Sequence, residues 1–177
     1  MKKLFILLTM LTLTLGAKAQ FEYRKNYIAA GLSGLDFNHT GEKRFSIDVD
    51  LMAGRFLTDN WLIYLKSGYQ HEGNTKRNDF NAGLGFRYYV VQNGIFFGAS
   101  ANYFHGTKSY NDFKPELEFG YCFFITRDIT IEPSAYYQVS FNDVSLYSKM
   151  GLRVNLGIYL PDGKLQHSIN DAFKKEY

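Results

Sequence analysis

Strict alternation of apolar and polar residues is the feature that most limits how this chain can fold. Residues 45–54 read FSIDVDLMAG, in which apolar side chains occupy the odd positions and Asp48 and Asp50 lie at even ones. A two-residue period is typical of a β-strand whose two faces meet different surroundings. Segments with this period recur along the chain and predict eight strands, at residues 27–37, 44–56, 61–70, 80–91, 95–104, 114–125, 129–140 and 148–160.

The N-terminal sequence MKKLFILLTMLTLTLGAKAQ has the parts of a secretory signal peptide. Two lysines precede an apolar run that ends at Leu15, and Ala17-Lys18-Ala19 forms a cleavage site of the A-x-A kind. The apolar run is shorter than the roughly 20 residues of a membrane-spanning helix, which argues against a retained anchor. The sequence therefore predicts a signal peptide at 1–19, a mature domain at 20–160 and a short tail at 161–177.

Charge and cysteine content narrow the class of protein further. The chain has 20 basic and 17 acidic residues, and the predicted signal holds three of the lysines and no acid, which leaves 17 of each. A neutral mature chain gives no indication of nucleic-acid binding. Cys122 is the only cysteine, so an intramolecular disulfide framework is excluded.

The connections between predicted strands alternate in length. Three are minimal, at 58–60, 93–94 and 126–128, whereas the intervening ones are longer and polar, namely NHTGEK, HEGNTKRND, HGTKSYND and FNDVSLY. Short turns at one end and longer loops at the other are typical of outer-membrane barrels, in which the short turns are periplasmic. An even number of strands then places both termini on the periplasmic side.

The short turns also predict strand register. A two-residue Asn93-Gly94 hairpin would pair Gln92 with Ile95 and Val90 with Phe97. The three-residue turns would pair Leu57 with Trp61 and Ile125 with Ile129, so that apolar residues again face apolar residues.

Glycines and aromatic residues indicate which face meets lipid. Glycine in the interior of a strand weakens that strand, and a water-exposed face has no need of it. The narrow interior of an eight-stranded barrel does need small residues. The polar face carries Gly54, Gly68, Gly83, Gly85, Gly98, Gly120, Gly151 and Gly157. Trp61 and Tyr69 lie near opposite ends of the apolar face of one strand, where aromatic girdles are found. We therefore predict an all-β fold, an eight-stranded antiparallel transmembrane β-barrel of the outer-membrane type, rather than a soluble lipocalin-like barrel. The first strand is ambiguous, and Ala29, Gly31 and Ser33 are assigned to its inner face.

The polar face then places charged residues in the lumen, where a buried charge needs a partner. The predicted lumen ion-pair network consists of Asp48, Asp50, Lys66, Arg87, Glu116, Glu118, Glu132, Lys149 and Arg153. The turn at 58–60 makes Asp50 and Lys66 diagonal neighbours, and Arg87 and Arg153 should meet Glu118 and Glu132. The network is interpreted as a structural core that plugs the lumen, with a selectivity filter as the alternative. Cys122 should be a buried, inert thiol.

At this point the chain resembles the small bacterial outer-membrane β-barrel family, whose best-known relatives are the OmpA transmembrane domain and OmpX. The stretches GRFLTDNWLIYLKSGY at 54–69 and GYCFFITRDITIEPSAYY at 120–137 resemble hairpins of porin-family proteins from Bacteroidetes-like bacteria. The last strand resembles the family's assembly signal, with Lys149, Gly151, Val154 and Leu156 at its positions. The resemblance implies a bacterial outer-membrane location, a monomer, and contacts with outer-membrane lipid and lipopolysaccharide. During biogenesis it implies the barrel-assembly machinery and periplasmic chaperones as partners.

Few residues are candidates for catalysis or metal binding. His39, His71 and His105 are assigned to outer loops without the spacing of metal ligands, so neither a metal nor a cofactor is expected. Some eight-stranded relatives are lipid A acyltransferases or deacylases, which need a histidine beside a serine. The available pairs, His39 with Ser46 and His105 with Ser109, stand in no recognisable motif. The prediction is a non-enzymatic envelope or surface-interaction protein, with a narrow channel as the alternative and a lipid A-modifying enzyme as a third reading.

Overall fold

A computed structural model describes residues 23–38, 43–44, 46–72, 77–90, 93–106, 110–142, 144 and 148–160. The predicted signal peptide at 1–19 and the tail at 161–177 lie outside these residues, as do His39 and Ser109. Among the residues described, none forms a helix with the length and apolar character needed to cross a membrane.

Eight long strands account for most of the described chain. We number them β1 (Asn26–Asn38), β2 (Ser46–Phe56), β3 (Trp61–Glu72), β4 (Arg77–Tyr89), β5 (Ile95–Gly106), β6 (Tyr110–Tyr121, continuing as Phe123–Phe124), β7 (Ile129–Gln138) and β8 (Lys149–Leu160). A two-residue segment, Lys43–Arg44, precedes β2 and pairs with β1. The predicted strands are all present; β1, β3, β4, β5 and β6 extend further at one end or both, whereas β2, β7 and β8 are slightly shorter than predicted.

The strands form a closed antiparallel barrel, which confirms the predicted fold class. Each strand pairs with the next in sequence, and β8 returns to pair with β1 from Asn26↔Leu160 to Asn38↔Lys149. This last ladder has one irregularity between Ser33 and Leu35. Closure leaves no unpaired sheet edge, which is the only way a sheet can satisfy its backbone groups in lipid.

Two of the three turn registers agree with prediction. The Leu57 amide donates to the Trp61 carbonyl at 2.8 Å, and the Ile125 amide donates to the Ile129 carbonyl at 2.9 Å. Both turns are closed locally by a threonine: the Thr58 hydroxyl accepts from Trp61 N at 3.2 Å, and the Thr126 hydroxyl accepts from Ile129 N at 3.1 Å. These contacts fix the loop length that the sequence suggested.

The predicted two-residue hairpin at 93–94 is wrong. Tyr88 rather than Val90 lies opposite Phe97, and the Val90 amide donates to the Ile95 carbonyl at 2.8 Å, so four residues make the connection. Asn93 and Gly94 are the last two of them: Asn93 N donates to Val90 O at 3.3 Å, and Gly94 has a φ of 83°. A connection longer than the predicted tight turn thus joins Val90 to Ile95, and Gly94 adopts the positive φ near its end. The register moves by two residues, so the inner and outer faces are unchanged.

The strands of two hairpins also reach further at the opposite end than predicted. β3 and β4 remain paired to Glu72↔Arg77, and β5 and β6 remain paired to Gly106↔Tyr110. His71 and His105 therefore lie in strands on the outer face, not in loops as we predicted.

The alternation of faces follows the sequence pattern in the strand residues whose side chains the structure describes. The glycines assigned to the inner face are buried or half-buried there, and Ala29, Gly31 and Ser33 of β1 do face inward. Apolar residues such as Leu65, Leu117 and Leu152 are well exposed on the outer face. The barrel is therefore apolar outside and polar inside, the reverse of a water-soluble barrel.

Candidate functional site: the charged barrel interior

An aromatic layer fills the end of the barrel that carries the short turns. It is built from buried inward side chains, namely Tyr27, Ala29, Met52, Phe56, Leu62, Tyr64, Tyr89, Phe96, Cys122 and Tyr159. The rings of Phe56 and Tyr159 lie 5.7 Å apart, and those of Tyr89 and Phe96 lie 5.6 Å apart. Inward parity of the strands brings these side chains together: Phe56 and Leu62 form the pair next to the turn at 58–60, and Met52 lies further along β2.

Arg87 lies directly against this layer and has no exposed surface. Its guanidinium pairs with Glu118 through Nε and Nη2, and its Nη1 donates to Glu132 Oε2 at 2.8 Å. The guanidinium also lies over the Phe96 ring at 4.5 Å. One cation from β4 therefore binds two carboxylates, one on β6 and one on β7, as the sequence predicted for this arginine.

The carboxylate of Glu132 accepts hydrogen bonds from hydroxyl groups as well as from Arg87. Tyr27 donates to its Oε2 at 2.6 Å, and Tyr159 and Thr130 donate to its Oε1 at 2.9 and 2.8 Å. Cys122 Sγ lies 3.6 Å from the same oxygen, so the cysteine is buried and free, as expected. Inward parity predicts tyrosines in the lumen, but sequence reasoning did not assign their hydroxyls to Glu132.

A second group of charges lies further from the aromatic layer and is centred on Glu116. Arg153 donates to both Glu116 oxygens at 2.7 and 3.1 Å, and Lys66 Nζ lies 3.2 Å from Oε1. Gln138 adds a donor at 2.7 Å. Glu116 is thus the main acceptor of this group, a role that the sequence did not assign to it.

Asp50 completes the second group. The Asp50–Lys66 pair is present at 3.5 Å, with the diagonal register that the turn at 58–60 implied. Arg153 also pairs with Asp50, at 3.2 Å from Nε, and reaches Glu118 only at 4.0 Å. The expectation that Arg153 would meet Glu118 and Glu132 is therefore corrected: its close partners are Glu116 and Asp50.

Two further sets of polar residues lie nearest the long-loop end. Lys149 Nζ pairs with Asp48 Oδ2 at 2.7 Å. On the other side, Asp112 lies 3.8 Å from Lys114 and accepts from the Ser140 hydroxyl at 2.6 Å. Asp79, Asp112 and Lys114 are buried inward residues outside the predicted network: the two aspartates precede the predicted strands, and Lys114 is the first residue of one.

Glycines make room for the charged side chains. A Cβ on Gly68 would collide with the Asp50 carboxylate, and one on Gly98 would collide with the Glu118 carboxylate. Both glycines lie directly opposite the acidic residue on the neighbouring strand. The two acidic side chains can therefore lie flat against the sheet and reach their cations. This agrees with the prediction that glycines of the polar face leave room for side chains in the narrow lumen.

The predicted assembly-signal residues lie on β8, the strand that closes the barrel. Lys149 and Gly151 face inward, whereas Val154 and Leu156 are exposed on the outer face. No cluster of three or more histidine, cysteine, aspartate or glutamate side chains suited to a metal ion occurs among the described residues.

Comparison with known proteins supports the fold. No family model matches the sequence, and no curated protein matches it. Among solved structures, the N-terminal β-barrel domain of OprF from Pseudomonas aeruginosa gives a TM-score of 0.59 at 15% identity, covering 78% of this chain and 98% of that chain. Neisserial surface protein A gives 0.58 at 10% identity, covering 76% and 96%. The outer-membrane protein OprG of P. aeruginosa gives 0.55 at 10% identity, covering 80% and 99%. At these identities the likeness establishes the fold, an eight-stranded barrel of the outer-membrane type.

Proposed function

We propose that this chain is a monomeric protein of the bacterial outer membrane whose lumen is closed by its own side chains. In this proposal it is not an enzyme, and it serves the structure of the envelope or its surface interactions. The apolar outer face and the eight-stranded fold support the location. An OmpA- or OmpX-like relationship within this fold is part of the same proposal.

The observation that carries the closed lumen is the position of Arg87. Its guanidinium joins carboxylates of β6 and β7 and rests on the ring of Phe96 from β5. The aromatic layer lies on one side of it and the Glu116 group on the other. An eight-stranded barrel is only wide enough for side chains to fill, so this arrangement would leave no continuous path for solutes.

The orientation and processing of the chain follow from the same proposal. Tyr23 N donates to Asp59 at 2.8 Å and Tyr159 N donates to Asp128 O at 2.7 Å, so both chain ends of the barrel lie beside short turns. We assign this end to the periplasm, where the tail at 161–177 would follow after removal of 1–19. Periplasmic chaperones and the barrel-assembly machinery would deliver the chain, with Lys149, Gly151, Val154 and Leu156 as the assembly signal.

Planar bilayer recording tests the closed lumen. Purified wild-type protein should give no stable open channel of porin size, because the Arg87 and Glu116 groups fill the bore. A stable channel in the wild type would instead support the narrow-pore alternative. Lipid A mass spectra that change with expression of the protein would contradict the non-enzymatic assignment.

A further inference from the structure

Two hairpins of the barrel repeat the same sequence pattern at their long-loop ends. β3 and β4 carry Tyr69-Gln-His71 and Asn78-Asp-Phe80, and β5 and β6 carry Tyr103-Phe-His105 and Asn111-Asp-Phe113. The central aspartates, Asp79 and Asp112, face inward and belong to the lumen. The flanking tyrosine, histidine, asparagine and phenylalanine face outward in both copies, and closure of the lumen does not explain them.

Register makes the two copies equivalent in space. Tyr69 lies opposite Phe80 and His71 opposite Asn78, just as Tyr103 lies opposite Phe113 and His105 opposite Asn111. Each copy is therefore an aromatic pair with a histidine–asparagine pair two residues nearer the rim. Two residues correspond to about 7 Å along a strand.

Hydrogen bonds hold the polar pairs in place. His71 Nδ1 lies 2.6 Å from Asn78 Oδ1, and His105 Nδ1 lies 2.7 Å from Asn111 Oδ1. The Asn111 oxygen also accepts from the Tyr103 hydroxyl at 3.0 Å. An amide oxygen only accepts, so each histidine donates from Nδ1, and its Nε2 and the Asn111 amide NH₂ are left for an occupant.

Position and charge identify the kind of occupant. The aromatic rings are well exposed on the lipid-facing surface, and Phe141 enlarges the second copy by packing its ring 5.6 Å from Phe113. An occupant must therefore be apolar toward the middle of the membrane and form hydrogen bonds toward the rim. The groups that both sites present toward the rim are neutral hydrogen-bonding groups, and the groups nearer the middle of the membrane are ring faces. Sugar rings, with their hydroxyl and amide groups and apolar faces, fit these requirements.

We propose that each copy binds the saccharide headgroup of one outer-leaflet glycolipid molecule, so that the barrel holds two. The Nε2 of His71 or His105 binds sugar hydroxyl or amide groups, joined in the second copy by the Asn111 amide, and the tyrosine–phenylalanine pair contacts the sugar face and the first part of the acyl chains. The inference rests on the proposed location and orientation in the outer membrane.

The test uses the full mature protein reconstituted in phosphatidylcholine nanodiscs that contain a minor fraction of lipopolysaccharide with a short core. Native mass spectrometry after release into detergent should show two retained lipopolysaccharide molecules on the wild type. His105→Ala with Asn111→Ala should retain one, His71→Ala with Asn78→Ala should retain one, and the fourfold variant should retain none. Loss of the two hydrogen-bonding groups should weaken each site by roughly tenfold or more. Tyr137→Ala is the matched control, since it removes an outward tyrosine from β7 and should leave retention unchanged.

Three results would overturn the inference: equal retention by the wild type and the fourfold variant, equal loss in Tyr137→Ala, or equal retention of phosphatidylglycerol in place of lipopolysaccharide. Migration on unheated gels verifies that each variant is folded, and His105→Gln, which keeps a donor to Asn111, should retain more lipopolysaccharide than His105→Ala if a variant is unstable. Membrane fractionation of cells distinguishes the two levels of proposal. Absence from the outer membrane would contradict the proposed function, whereas unchanged lipid retention in a correctly located protein would contradict the sugar sites alone.

Discussion

Replacing Arg87 by methionine should destabilise the barrel more than any other single change in the lumen. Methionine keeps much of the arginine's length and removes its charge. The substitution would leave Glu118 and Glu132, both buried, without the cation that joins them. Removing one member of a buried ion pair costs about 3–5 kcal/mol, because the remaining charge is uncompensated.

The structure indicates how that loss divides between the two carboxylates. Glu132 would keep the hydroxyl donors of Tyr27, Tyr159 and Thr130, all within 2.9 Å. Among the described residues, Glu118 would keep only the Tyr64 hydroxyl at 3.2 Å and a distant Arg153 at 4.0 Å. Most of the 3–5 kcal/mol should therefore come from Glu118. Adding Glu118→Gln to Arg87→Met should recover more stability than adding Glu132→Gln.

Urea unfolding in phospholipid vesicles provides the measurement, with fluorescence of the single tryptophan, Trp61, as the signal. Trp61 lies on the outer face against Phe86 and Tyr88, so it reports loss of the barrel without touching the lumen. A loss below about 1 kcal/mol for Arg87→Met would refute the reasoning, since it would fall in the range of exposed pairs. Equal rescue by the two glutamine substitutions would refute the unequal division.

Further expectations concern other parts of the chain. In a double-mutant cycle, Asp50→Asn and Lys66→Met should show a coupling of about 0.5–3 kcal/mol in the free energy of unfolding, and additive effects would count against their pairing. Val154→Arg should cost roughly 2–4 kcal/mol if the residue lies near the bilayer midplane, whereas Val154→Ile should be tolerated; equal tolerance in vesicle refolding would mean that the faces are reversed. The mature chain should begin at Gln20, and an intact mass that includes Met1 would disprove the predicted cleavage.

The strands and their inner and outer faces could be predicted from the sequence because alternation of apolar and polar residues is a local property. Within a regular strand, each inward residue is identified by parity alone, and an error of two residues in register leaves parity intact. The hairpin at 93–94 illustrates this: Asn-Gly suggested a tight turn, but Asn93 and Gly94 close a longer one, and Arg87 still faces inward. Strand limits were less predictable, since His71 and His105 look like loop residues until their cross-strand asparagines are considered.

Partners across the lumen could not be predicted, because they depend on how far the strands are staggered when the barrel closes. Asp50 and Lys66 lie on adjacent strands, so their turn sets their relation. Lys66 and Glu116 lie on β3 and β6, with two strands between them, and no turn relates them directly. The same is true of Arg153, which meets Glu116 rather than the predicted Glu132. The total stagger of the barrel is the sum of the offsets between neighbouring strands in all the ladders, so one misassigned turn changes it.

Ion pairs between strands that are not neighbours connect parts of the barrel that the backbone ladder does not connect. Hydrogen bonds of the ladder join only neighbouring strands, whereas Arg87 joins β4 to β6 and β7, Lys66 joins β3 to β6, and Lys149 joins β8 to β2. Because an unpaired charge in this interior is costly, each of these pairs favours the closed barrel over any arrangement in which distant strands have separated. Lipid gives the outer face little reason to prefer one closure over another, since apolar side chains contact acyl chains in either case. We therefore expect the charged residues inside, which resemble a filter in the sequence, to act as cross-links that favour the stagger set by the turns and ladders.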